Sequence, residues 1–162
     1  MPPADLRDIF AVVTADHQGL NNGIFYLRVC QDSIDLLTQV VDYPMTHPDV
    51  DLGWFGEQAA MDHVIHSLET RSKDEARSSG IAWAPRLWFN AFQWEHGFEG
   101  EPGDSIVHFA GLAETRLQHM TDWLVELRDH QAKWEMPLED TSYGREISEF
   151  WKGVAAGEID DR

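Results

Sequence analysis

The apolar residues Met61, Val64, Ile65 and Leu68 recur at i, i+3, i+4 and i+7, which predicts an amphipathic helix from Glu57 to about Thr70. A longer helix is predicted from Thr115 to Trp134, with Leu117, Met120, Leu124, Leu127 and Trp134 along one stripe. Its heptads are too few for a coiled coil, so packing against a sheet is expected. Ile34, Leu37 and Val41 share a face of a third helix, with Ser33 as N-cap and Tyr43-Pro44 as its end. Ile24 to Val29 is nearly all apolar and reads as a strand buried on both faces. Shorter strands are expected at Ile9 to Val13, Ile81 to Trp83, around Leu87 to Phe89, and at Ser105 to Phe109.

Turn signals punctuate these runs at Asp16-His17-Gln18-Gly19 and Asn21-Asn22-Gly23. Pro48 to Gly56 and Glu95 to Gly103 read as loops, and the charged, serine-rich stretch Arg71 to Gly80 as a connector. No repeat interrupts the pattern. Strands alternating with helices give an α/β domain over residues 1–136, a mixed sheet flanked by helices, followed by an acidic tail over 137–162 with a short helix at Glu146 to Lys152.

Charge narrows the function classes. Twelve basic residues face 29 acidic ones, for a formal net charge of −17. Nucleic acid and anionic membrane surfaces need clustered Lys and Arg, so neither is an expected partner. The one cysteine, Cys30, rules out an intrachain disulfide and a Cys-based zinc site. Met1-Pro2-Pro3-Ala4-Asp5 has neither the charged nor the apolar region of a signal peptide, and no apolar run is long enough to span a bilayer.

Four segments hold the candidate chemistry. The run Gly103-Asp104-Ser105-Ile106-Val107-His108-Phe109-Ala110-Gly111 delivers a histidine to a strand end, with a glycine three residues later. A neutral imidazole there suits a divalent metal, and glycine lets backbone approach a phosphate; equally, His108 suits an ordinary strand end. Asn21, Asn22 and Gly23 offer side-chain amides for sugar hydroxyls, or simply make a turn. Glu57-Gln58 opens a helix, where a carboxylate is favoured by the dipole with or without a catalytic role. Trp54 and Trp88 are candidate platforms for sugar rings, although tryptophans serve cores first. Asp49-Val50-Asp51 fits an Asp-x-Asp metal pattern by letters but sits in a loop. Asp62, His63 and His66 read as a solvated helix face.

In this order, Leu20-Asn21-Asn22-Gly23, Phe55-Gly56-Glu57-Gln58, Ala84-Pro85-Arg86-Leu87-Trp88-Phe89-Asn90 and His108-Phe109-Ala110-Gly111 make residues 14–128 resemble glycosyltransferase family 34, the fungal galactosyl- and mannosyltransferases and plant xyloglucan xylosyltransferases. The resemblance implies the C-terminal half of a nucleotide-sugar transferase domain of the GT-A type. It implies transfer of galactose or mannose from a nucleotide-sugar to a glycan, with Mn2+ on the donor diphosphate. Asn21, Asn22, Gly23 and Gly111 would bind donor, Glu57 and Gln58 would face the transferred sugar and the acceptor, and His108 would be the metal ligand. Glu57 stands where the family often has Asp. Ala113 stands where plant members have lysine, which leaves Arg116 as the nearby cation. The family's Asp-x-Asp half is expected to lie upstream of the matched segments, so this chain is expected to be incomplete as an enzyme. The alternative is a non-catalytic remnant that binds carbohydrate or joins another transferase subunit. Complete family members are anchored in the Golgi membrane; this chain is expected to have no anchor.

Overall fold

The structure, a computed structural model, describes residues 6–75 and 78–157. The start Met1–Asp5, part of the Arg71–Gly80 connector and the end of the expected 137–162 tail therefore lie outside the described residues. The architecture is mixed α/β, with two small three-stranded mixed sheets and helices. The chain divides into two units: Met1–Ala84 with Gly153–Arg162, and Pro85–Lys152.

In the first unit β1 (Ala11–Asp16) is the central strand of the order β2-β1-β3. It pairs antiparallel with β2 (Gly19–Leu27) through the turn expected at His17-Gln18, and parallel with β3 (Ile81–Trp83). A parallel pair needs a long crossover, and α1 (Gln31–Thr46) and α2 (Gly56–Asp74) supply it. Ala11, Val13 and Thr14 are fully buried, as the middle of a sheet requires. Around them gather Phe10, Leu20, Leu36, Met61, Val64, Ile65, Ile81 and Trp83. The Trp83 indole N–H donates to Glu69 Oε1 at 2.7 Å within this core. Gly80 closes the entry to β3: its φ is +76°, and a Cβ there would stand 2.5 Å from the Phe10 ring and 2.9 Å from Asp8 O. Only glycine fits so tight a place.

Several expectations change here. Asn21-Asn22-Gly23 is not a turn; it lies inside β2. The register explains why. Val12 pairs with Tyr26 and Thr14 with Asn21, so two steps along β1 match five along β2. The extra residues of β2 bulge out, and the Asn-Gly tendency to bend is spent there without ending the strand. β2 is also an edge strand and only half-buried, rather than covered on both faces; it stops at Leu27.

Helix α1 starts at Gln31 with Cys30 as N-cap, because the Ser33 hydroxyl donates backwards to Arg28 O at 2.7 Å. It continues past Pro44 to Thr46, since a proline near the end of a helix removes only one backbone bond, and His47 N still reaches Tyr43 O at 2.9 Å. Its buried face carries Ser33 and Leu36, with Val40 and Tyr43 packed beside them, while the expected stripe of Ile34, Leu37 and Val41 is exposed. Helix α2 buries Met61, Val64 and Ile65, as its periodicity predicts.

The second unit is built on the sheet β5-β4-β6. Strand β4 (Ala91–Trp94) pairs antiparallel with β5 (Gly97–Phe98) and parallel with β6 (Val107–His108). The Leu87–Phe89 region is a 3-10 turn over Arg86–Trp88 instead of a strand, and β5 falls inside the expected Glu95–Gly103 loop. The long Thr115–Trp134 helix breaks at His130 into α3 (Arg116–Asp129) and α4 (Gln131–Trp134). Leu117, Met120, Leu124 and Leu127 on α3 are exposed, and the helix meets the sheet through Trp123, whose ring stands edge-on to Phe98 of β5 at 5.0 Å. Residues after Pro137 form a 3-10 turn at Leu138–Asp140 and α5 (Tyr143–Ala156), longer at both ends than the expected helix.

An ion pair ties the second unit together. Glu99 accepts hydrogen bonds from Arg86, from Phe92 N and from Trp94 Nε1, and the Arg86 guanidinium lies 4.4 Å over the Phe92 ring. Burial pulls the Glu99 pKa up, but the bonds from Arg86, Phe92 and Trp94 outweigh it and hold the carboxyl below its ordinary value. A depressed folded-state pKa stabilises the fold above the unfolded carboxyl value, and that contribution fades as pH falls through the folded one.

Two predictions follow from these contacts. Leu36→Ala should cost about 2–5 kcal/mol in urea unfolding, whereas Leu37→Ala, one residue on but 41% exposed, should stay within about 0.5 kcal/mol. Equal effects would mean that the buried face of α1 is misassigned. Glu99→Gln should destabilise the protein by roughly 1–3 kcal/mol at pH 7, with the gap to the parent narrowing as pH falls through and below the ordinary carboxyl range. A gap that widens on acidification would contradict the role given to Glu99.

Candidate functional site

The sequence-nominated residues divide between the two units, and two of the nominated segments meet in the first. On the β2 bulge, Asn22 N donates to Gln58 Oε1 at 3.1 Å, across 36 positions of sequence. Gln58 is in the first turn of α2, and with its oxygen so engaged its remaining donor is the Nε2 amide. Glu57 precedes it as an exposed carboxylate in that first turn, where the helix dipole favours negative charge. Phe55 caps the helix without a side-chain hydrogen bond. Trp54, just before it, is 94% exposed and Gly23 is exposed.

Asn21 has a different position from its neighbour. It is buried; its Nδ2 donates to Asp16 Oδ2 at 2.8 Å and its Oδ1 accepts from Gly23 N at 3.0 Å. The side chain thus braces the bulge from within, and Asn22, Gly23 and Gln58 form its outer surface. Asp16 is a supporting residue that sequence reasoning gave no role beyond a turn.

In the second unit His108 ends β6 and is half-buried. Its ring stands edge-on to Phe92 at 5.1 Å between centroids, and its Nδ1 bonds Asn90 Oδ1. An amide oxygen only accepts, so Nδ1 is the donor in this bond. Asn90 is fully buried and fixes this orientation. It lies in the quoted Trp-Phe-Asn segment, but no spacing rule linked it to a histidine 18 residues later. Gly111 follows with φ +70°, exposed, and nothing within 4 Å of where a Cβ would stand. Arg116 is exposed at the start of α3.

Trp88 is spoken for within its unit. Its indole N–H donates to Glu146 Oε2 at 3.0 Å, its ring meets Phe150 edge-on at 5.1 Å, and its carbonyl accepts from Ser105 Oγ at 3.1 Å. Asp51 Oδ1 accepts from Gly53 N at 2.9 Å, an ordinary loop contact. His63 stacks on Tyr43 at 5.4 Å, and His66 is exposed.

Among the described residues no three His, Cys, Asp or Glu side chains gather to hold a metal ion. A hard divalent cation such as the implied Mn2+ needs several oxygen or nitrogen ligands, so His108 would need further partners to hold one. One cavity, of about 360 Å³, is lined by Arg7, Asp8, Arg28, Cys30, Ser78 and Ser79 among others. A second is an apolar groove of about 440 Å³ beside Phe98, Met120, Trp123, Leu124, Leu127 and Trp134. It is lined in part by Asp104, Ser105, Ile106, Val107 and Phe109 of the segment that carries His108.

Comparison with known protein families, curated proteins and solved structures finds no match to the chain. Among the described residues no helix is long and apolar enough to cross a membrane.

If the bulge is braced as described, Asn21→Ala should lower stability by about 1–3 kcal/mol by leaving a buried partner unsatisfied. Asn22→Ala, which keeps the backbone N–H that bonds Gln58, should change stability by less than about 0.5 kcal/mol. Thermal unfolding of both variants checks this, and a reversed order would reject the division of roles.

Proposed function

We propose that the chain is the acceptor-side portion of a GT-A type glycosyltransferase that moves a hexose, galactose or mannose, from a nucleotide-sugar to a glycan. The observation that carries the reading is the hydrogen bond between Asn22 N and Gln58 Oε1. Two of the four segments on which the family resemblance rests become neighbours there, with Glu57 exposed in the same helical turn as Gln58. Exposed Trp54 adds an indole face suited to the C–H surface of a sugar ring.

In this proposal Asn22 and the Gln58 amide hold hydroxyls of the transferred sugar, and the Glu57 carboxylate orients the acceptor hydroxyl. A carboxylate beside the reacting carbon also stabilises the positive charge that develops as the glycosidic bond breaks. Support for a role of His108 comes from the orientation of its ring, held by the bond between Nδ1 and Asn90 Oδ1. In the family a divalent cation stabilises the departing diphosphate as a Lewis acid. Among the described residues no cluster of three His, Cys, Asp or Glu ligands is gathered for that cation, and the proposed roles of Asn22, Glu57 and Gln58 do not depend on it.

Calorimetric titration tests the reading with UDP-galactose, GDP-mannose and their matching oligosaccharides, each with and without Mn2+. At least one of these ligands should bind, Gln58→Ala should weaken it about tenfold, equivalent to 1.4 kcal/mol, and Mn2+ should change affinity less than about twofold. A folded chain that binds none of them would overturn the proposal.

A further inference from the structure

Helix α1 has two apolar faces, and its own unit covers one. Ser33, Leu36, Val40 and Tyr43 turn toward the core. Ile34, Leu37, Val41 and Met45 form a second stripe at i, i+3, i+7 and i+11, with Val41 76% and Met45 84% exposed. At about 1.5 Å per residue the stripe runs ~16 Å, or about three helical turns. A row of large apolar side chains at this spacing on an outward face is the seam that a second helix fills. Asp35 and Asp42 each follow a stripe residue by one position and form an acidic rim, and α1 carries no Lys or Arg.

We propose that this stripe docks an amphipathic helix of another polypeptide, one whose apolar face is edged with Lys or Arg. Charge selects the occupant. A second copy would bring the same cation-free helix, on a chain of net charge −17, against Asp35 and Asp42. A basic rim would meet those carboxylates while its leucine-type face covers Ile34, Leu37, Val41 and Met45, the helix-in-groove mode of recognition. The inference stands independently of glycosyl transfer, since none of these residues belongs to the β2–α2 junction.

The probe is a labelled peptide of about three heptads with Leu at a and d and Lys at e and g, compared with the same peptide carrying Glu in place of Lys. Fluorescence anisotropy should show binding of the Lys peptide alone. The Ile34→Asp/Val41→Asp chain should bind it at least about tenfold more weakly, even though it carries two more negative charges. Circular dichroism checks its fold, and Ile34→Thr/Val41→Thr repeats the test without added charge. Equal or tighter binding by these variants would mean mere attraction to an acidic surface and would overturn the proposal. So would no binding by the parent chain, or a parent dimer in sedimentation that the variants dissolve.

Discussion

Strand β1 is the constraint on which the first unit depends. It is paired on both edges, antiparallel to β2 and parallel to β3, and its inward side chains have no exposure. The parallel pair dictates a crossover, the crossover needs helices, and those helices must bury Leu36, Met61, Val64 and Ile65 against the strand that demanded them. Gly80, pressed against Phe10, lets the chain re-enter the sheet in register. Because β1 is fixed on both sides, the irregularity of the sheet is displaced to its outer strand.

That displacement shapes the candidate site. The bulge in β2 turns a strand edge into a small polar surface, braced internally by Asn21 and Asp16 and joined to the start of α2 through Gln58. Bulges tend to re-aim side chains where a sheet meets a ligand. In the second unit His108 is organised on the same principle, with a fully buried amide, Asn90, fixing the orientation of a half-buried ring.

Elements whose pattern reports a single buried face were legible in the sequence. Helix α2 is the clear case, since Met61, Val64 and Ile65 are among its buried residues. The hairpin turn at His17-Gln18 and strand β3 were also readable. Helix α1 was placed but its face was misread, because it carries two apolar stripes and periodicity cannot tell which one meets the core. Asn21-Asn22-Gly23 was misread because local turn preference competes with strand pairing, and pairing with a central strand won. The break at His130 left the apolar stripe of α3 and α4 unchanged, so hydrophobic spacing could not report it. At the site, the sequence supplied Asn22, Gln58 and His108, while Asp16 and Asn90 act through contacts that no local spacing encodes.

The central claim is that the outer surface of the β2 bulge and the first turn of α2 together bind a sugar nucleotide. Amide chemical shifts of the ¹⁵N-labelled chain, followed during titration with UDP-galactose and with GDP-mannose, test it most directly. The account expects saturable shifts concentrated at Asn22, Gly23, Glu57 and Gln58 with one of the two ligands. Shifts confined to other residues, or none at all, would contradict it.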